Sequence, residues 1–218
     1  MQRTLEPELM DDEAQARAYA RADFSASNQM FVDGFVRDYP THLGAIVDLG
    51  CGPGDIDVRL ARAAPSARVT AVDGSRPMLA IAERARRAAG LESRITTLNG
   101  MLPGLPLDAH AFDAVLSKDL LHHLRDPSAL WSEVNRLGRT GAVVYVMDLM
   151  RPATRDAAQQ IVDTVAPHED PILREDFLNS LCAAFTVDEV TEQLRRARLD
   201  LHVAHVSERH MLIKGLLK

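Results

Sequence analysis

Between Ala45 and Met147 short apolar runs alternate with helix-like segments, and this rhythm restricts the fold more than any other feature of the chain. Ala45–Leu49, Ala67–Val72, Arg94–Leu98, Phe112–Leu116 and Ala142–Met147 read as five strands, each short and bounded by turn residues. Asp55–Ala64 reads as a helix stopped by Pro65. Ser75 is a good N-cap, with Arg76 and Pro77 in the first turn of a helix that runs to Ala89; Gly90 is its natural stop. Asp126 and Pro127 open another helix, in which Leu130, Trp131, Val134 and Leu137 recur at helical spacing before Gly138 ends it. Strands joined by helices need long crossovers, so the sheet should be parallel here, with helices on both faces.

Two regions fall outside this rhythm. Residues 1–40 read as a polar helical segment, a candidate lid, with Phe31, Val32, Phe35 and Val36 as its apolar patch. Residues 151–185 read as a charged helical cap interrupted by Pro167 and Pro171. Thr186–Glu189 then spells a capping box that opens a helix to about Arg198. Leu201–Val206 and Met211–Leu217 are two strands joined by a hairpin-length connection, so the sheet should end in an antiparallel pair. The expected fold class is α/β, a three-layer doubly wound sheet in one domain over residues 1–218.

The glycine-rich turn is the first functional signal. Residues 47–54 read V-D-L-G-C-G-P-G, after a strand and before a helix. Glycine lets the backbone turn sharply and approach a ligand that a Cβ would hold off. Free N–H groups at the following helix start would then suit a carboxylate or phosphate. Asp73 ends the next strand, where its carboxylate can accept two hydrogen bonds from a ribose diol. From these residues alone any adenosine cofactor fits, a nicotinamide or flavin dinucleotide included.

The segments VDLGCGPG and VTAVDGSRPMLAIA closely resemble the first two motifs of the class I S-adenosylmethionine-dependent methyltransferases, and LPGLPLDAHAFDAVLSKDLLHHLRDP resembles the blocks that follow. The resemblance covers roughly residues 20–150. It implies the strand order 3-2-1-4-5-7-6, S-adenosylmethionine as cofactor and methyl transfer as the activity. Asp48, Gly50 and Gly52, with Cys51 between the glycines, would line the methionine end. Asp73, followed by Gly74, would hold the ribose, and Ser75 and Met78 would flank the adenosine. Leu116 and Ser117 would face the sulfonium and methyl. Where members of this type carry an acid for the adenine amino group, this chain has Gly100–Met101; Asn99 is a substitute by position, or Met101 packs on the adenine. Tyr19, Phe24 and Asn28 would close over the cofactor.

On the acceptor side, strand four leads into Lys118 and Asp119 and then His122 and His123, and strand five into Asp148 and Arg151. His123 is the candidate catalytic base by residue type, with pocket lining as its alternative role. Lys118, Asp148 and Arg151 are candidates for binding a polar acceptor; mutual pairing of Asp148 with Arg151, and of Lys118 with Asp119, is the plain alternative. No metal site is expected, because adjacent His122 and His123 should point apart on a helix and no two cysteines have ligand spacing.

The formal net charge of −6 argues against an enzyme held to nucleic acid by many phosphate contacts, so a small-molecule acceptor is expected. The absence of an N-P-P-Y or D-P-P-Y tetrapeptide after strand four agrees with this. No apolar run reaches membrane-span length, and two distant cysteines suggest a reducing, cytoplasmic setting, with a homodimer as one possible assembly. Two other readings remain: a non-methylating enzyme that uses the same cofactor, and a non-catalytic binding module.

Overall fold

A computed structural model describes residues 1–6, 9 and 11–218. Seven strands form one sheet in the order β3-β2-β1-β4-β5-β7-β6. They are β1 (Ala45–Leu49), β2 (Arg68–Asp73), β3 (Ile95–Asn99), β4 (Phe112–Lys118), β5 (Gly138–Leu149), β6 (His202–His205) and β7 (His210–Leu216). The first five pair in parallel, while β7 runs antiparallel to both β5 and β6. The strand order implied by the resemblance is therefore the one observed. β5 is longer than its apolar run suggested. It begins at Gly138, directly after the helix, because Phe112 pairs with Gly138 ahead of an irregularity in the β4–β5 register.

Eight helices flank the sheet among the described residues: α1 (Glu13–Arg21), α2 (Ser25–Asp38), α3 (Asp55–Ala63), α4 (Arg76–Ala88), α5 (Ser128–Leu137), α6 (Arg155–Val165), α7 (Pro171–Ala183) and α8 (Val187–Ala197). Capping residues explain several starts. Ser75 accepts from Met78 N–H, and Thr186 and Glu189 form the full capping box. α5 starts one residue after the expected position, yet Asp126 still accepts from Ser128 N–H.

The period-two alternation of β5 divides the core into two layers. Val143, Tyr145 and Met147 pack with Phe31 and Phe35 of α2 and Leu60 of α3. Val144 and Val146 pack with Trp131 and Val134 of α5 and Val190 of α8. A smaller cluster joins α6 and α7 over Leu149, at the C-terminal end of β5. The first residues differ from the helical expectation. Residues 1–6 carry no helix and thread back over the sheet, with Thr4 N–H bonded to Cys182 O at 3.0 Å. Positions 7, 8 and 10 of the expected lid lie outside the described residues.

Candidate active site

Two joined cavities lie beyond the C-terminal ends of the parallel strands, where ligands of doubly wound sheets sit. The larger, about 500 Å³, opens between the glycine loop, the β2 and β3 ends, and α1–α2. The smaller, about 210 Å³, lies between the start of α2, the β4 exit, the α6–α7 cap and the β6–β7 turn. Tyr19, Phe24, Lys118, Asp119 and His123 line both.

The glycine loop meets its stereochemical demand at Gly52 and Gly54. Gly54 has φ +81°, and a Cβ there would stand 2.9 Å from the Ala82 Cβ, so the α3–α4 packing requires its absence. Gly52 has φ +52° with open space where its Cβ would be, on the wall of the larger cavity. Within the loop itself the donors are used internally: Gly50 and Cys51 N–H both donate to Val72 O, Gly52 N–H donates to Asp73 Oδ2 at 2.8 Å, and Gly54 N–H donates to Cys51 O.

Asp73 also departs from a pure ligand role. Its Oδ1 accepts from Ser75 N–H at 2.8 Å while Oδ2 holds Gly52, so one carboxylate ties the loop to the start of α4. Burial pushes this carboxyl up from its ordinary value, against the two N–H bonds that favour its charge. Each oxygen retains a further lone pair for a diol. Beside it, Gly74, Ser75, Met78, Gly100 and Met101 line the same cavity. Asn99 does not replace the missing acid: its amide donates to Asp73 O and Gly74 O.

Asp48 is off the cavity wall. It is fully buried beneath the loop against Asp57, where burial raises its carboxyl to about 6 and that of Asp57 well above the ordinary range. Burial and mutual repulsion disfavour ionising both carboxyls at once. Leu116 and Ser117 are also buried away from the cavities, with Ser117 Oγ donating to Leu49 O at 2.8 Å. β4 continues to Lys118, two residues beyond its expected end, so Lys118, Asp119 and Leu120 take the wall positions.

Lys118 and Asp119 form a close ion pair. Burial disfavours the Asp119 charge, but Lys118, His210 and His122 outweigh it and hold the carboxyl at about 2. Burial takes His210, on the smaller cavity wall, down to about 4. Asp148 and Arg151 do not pair with each other and neither lines a cavity. Arg151 bonds Glu189 at 2.6 Å and Ala184 O, outside the site. Asp148 Oδ1 lies 2.8 Å from His122 Nδ1, and its Oδ2 accepts from Leu121 N–H. His122 and His123 do not point apart. They occupy a three-residue 3-10 turn, not an α-helix, and their ring centroids are 4.2 Å apart. Glu6, from the N-terminal segment, approaches both. Sequence spacing could not signal Glu6 or His210, which reach the site from the two ends of the chain.

The sheet order is that of the S-adenosylmethionine-dependent methyltransferase structures on which this chain superposes. Residues 46–141 match the model of the methyltransferase-domain family. The chain is 30% identical over 142 residues to the demethylmenaquinone methyltransferase of Porphyromonas gingivalis, covering 65% of this chain and 57% of that protein. It thus spans a little over half the length of that curated relative. A SAM-dependent methyltransferase of Aquifex aeolicus superposes with TM-score 0.69 at 16% identity, over 95% of this chain and 99% of that one. The (4+2)-cyclase SpnF superposes with TM-score 0.62 at 18% identity, over 90% and 83%. Among the described residues, no helix is long and apolar enough to cross a membrane.

The larger cavity fits S-adenosylmethionine, the cofactor of this domain class. Gly52 leaves open space at its wall and Asp73 has acceptors to spare, while Asp23, Asp55 and Asp119 share that wall with Arg59, Arg62 and Lys118.

Proposed function

We propose that the chain transfers a methyl group from S-adenosylmethionine to a small-molecule acceptor and releases S-adenosylhomocysteine. The observation that carries this reading is the glycine loop, whose N–H groups are already bonded within the protein. A dinucleotide pyrophosphate needs such donors; an adenosyl sulfonium needs an acidic, phosphate-free wall. Bound cofactor supplies an electrophilic methyl on a positively charged sulfur. The protein's own part is to align the acceptor, and such alignment supplies much of the rate.

In this reading Asp73 holds the ribose diol, with Gly50, Cys51 and Gly52 beneath the methionine end and Met78 and Met101 beside the adenine. The smaller cavity takes the acceptor, and its 210 Å³ suits a group of about one substituted ring. Phe24 and Phe177 offer apolar contact there, and Lys118 a cation already shared with Asp119. His123, on the wall common to both cavities, takes the proton where the acceptor must lose one. Residues 1–40 act as the lid and 151–185 as the acceptor-selecting cap.

Calorimetry with S-adenosylhomocysteine, followed by a metabolite screen for its release from S-adenosylmethionine, tests this. A phenolic or quinol ring is the first probe, given the curated relative's name. Absence of cofactor binding refutes the reading. Binding with cofactor turnover but no S-adenosylhomocysteine points to a non-methylating enzyme of this fold. His123→Ala is expected to lower turnover on the order of 100-fold where a proton must leave, with cofactor affinity nearly level.

A further inference from the structure

We propose that Glu6, His122 and His123 bind one divalent transition-metal ion of the zinc type at the inner end of the smaller cavity. The three side chains offer ligand atoms within 4.8 Å of one another. Glu6 Oε1 lies 3.1 Å from His123 Nδ1 and 3.6 Å from His122 Nε2. Ligand atoms about 2.0–2.2 Å from a shared tetrahedral zinc stand roughly 3.3 Å apart, so only small shifts separate this arrangement from coordination. Glu6 Oε1 is buried and makes no hydrogen bond of good geometry in spite of these near neighbours.

The surroundings are those of a ligating histidine. Asp148 Oδ1 lies 2.8 Å from His122 Nδ1; in the neutral tautomer that donates Nδ1–H to Asp148, Nε2 carries the lone pair on the Glu6 side. Asp148 is itself fixed by Leu121 N–H, and Glu6 Oε2 accepts from Ser180 Oγ at 3.2 Å. Glu6 is held in place by its own segment. Arg3 donates to His122 O, Leu124 O and Ala183 O, and Thr4 N–H bonds Cys182 O. Two carboxylates and two imidazoles thus gather in one spot, and the guanidinium of neighbouring Arg3 is spent on carbonyls. A divalent cation offsets that charge.

Two imidazoles and one carboxylate select zinc-type ions over magnesium and calcium, which prefer all-oxygen sites. A three-residue set leaves a coordination position open, as in catalytic rather than structural zinc sites. His122 and His123 both line the smaller cavity, so that position faces the acceptor. With an ion bound His123 is a ligand and no longer the base; a hydroxyl or enol docked there would become a further ligand and lose its proton more readily to solvent.

The test is a Co²⁺ titration of untagged, chelator-stripped protein, read by visible absorption, followed by displacement with Zn²⁺. One equivalent should give the intense bands of a four- or five-coordinate site. Glu6→Gln and His123→Ala should each weaken binding on the order of 100-fold, and Asp148→Asn about 10–100-fold by releasing the His122 ring. Circular dichroism and S-adenosylhomocysteine affinity report whether each variant is folded; His123→Gln replaces His123→Ala if the latter is not. Absence of stoichiometric binding in the wild type overturns the proposal and leaves a His122-centred ion-pair cluster. Binding that survives unchanged in folded Glu6 and His123 variants overturns it equally, by placing the ion elsewhere.

Discussion

The two cavities share a wall but are built in opposite ways. The larger is floored by the stretch from the end of β1 to just past β3, where its geometry is mostly backbone: a glycine turn, an internally bonded loop and one bridging carboxylate; α1–α2 and the β4 exit supply its other walls. The smaller is made by side chains from five separate places, Glu6 and Tyr19, the β4 exit with His122 and His123, Phe177 and Ser180 of the cap, and His210 on β7. A backbone site tolerates few changes and suits an invariant ligand. A side-chain site can be rebuilt by substitution, which suits an acceptor that differs between enzymes of one fold.

The strongest blow to the larger cavity should be Asp73→Ala. It removes the acceptor for Gly52 and Ser75 N–H as well as the diol contacts, and hydrogen bonds to a charged group are worth about 1.5–3 kcal/mol each. S-adenosylhomocysteine affinity should fall on the order of 100-fold or more by calorimetry, and thermal stability should fall with it. Asp73→Asn keeps one acceptor but turns an amide NH₂ toward one of the two N–H donors, so it should lose both properties to a lesser degree. Wild-type affinity in a folded Asp73→Ala protein would remove Asp73 from the site.

A second test probes the buried acids beneath the loop. The Asp48 carboxyl is raised to about 6 in the fold, so the folded state binds its proton more tightly than the unfolded chain does. Stability should therefore fall as pH rises from the ordinary carboxylate range near 4 through 6, and recover on acidification. Asp57→Asn lets Asp48 ionise beside an amide donor, which should flatten that slope and stabilise the protein at pH 7 by about 1–3 kcal/mol. Denaturant midpoints across pH 4–7 measure this; an unchanged slope would mean that neither acid disfavours ionisation of the other.

Arg151→Ala sharpens the boundary of the acceptor region. Arg151 ties the cap to α8 through Glu189 and Ala184 O, so its loss should cost about 1 kcal/mol of stability and leave the acceptor KM alone. A selective rise in KM would return Arg151 to the acceptor site. The smallest effect should be dynamic. Hydrogen exchange in residues 15–35 should slow severalfold when S-adenosylhomocysteine binds, because Tyr19, Phe24 and Asn28 line its cavity. Unchanged exchange there would reject a lid.

Strand spacing, the glycine turn and Asp73 were legible in the sequence because they lie in one short stretch whose local rules are strong, while the sheet order came from the family resemblance those motifs carry. Period-two and helical spacings set the elements, caps set their starts, and a turn between strand and helix demands glycine wherever φ is positive. Which polar residues face a ligand was decided by tertiary structure. Extending β4 and β5 beyond their apolar runs turned Leu116, Ser117 and Asp148 away from the cavities, and the cap drew Arg151 to Glu189. The meeting of Glu6 with His122 and His123 spans more than a hundred residues of chain, and it depends on a 3-10 turn that residue spacing does not distinguish from an α-helix. Local sequence controls backbone conformation through short-range sterics and hydrogen bonds, whereas a side-chain cluster drawn from distant segments exists only once packing has brought those segments together.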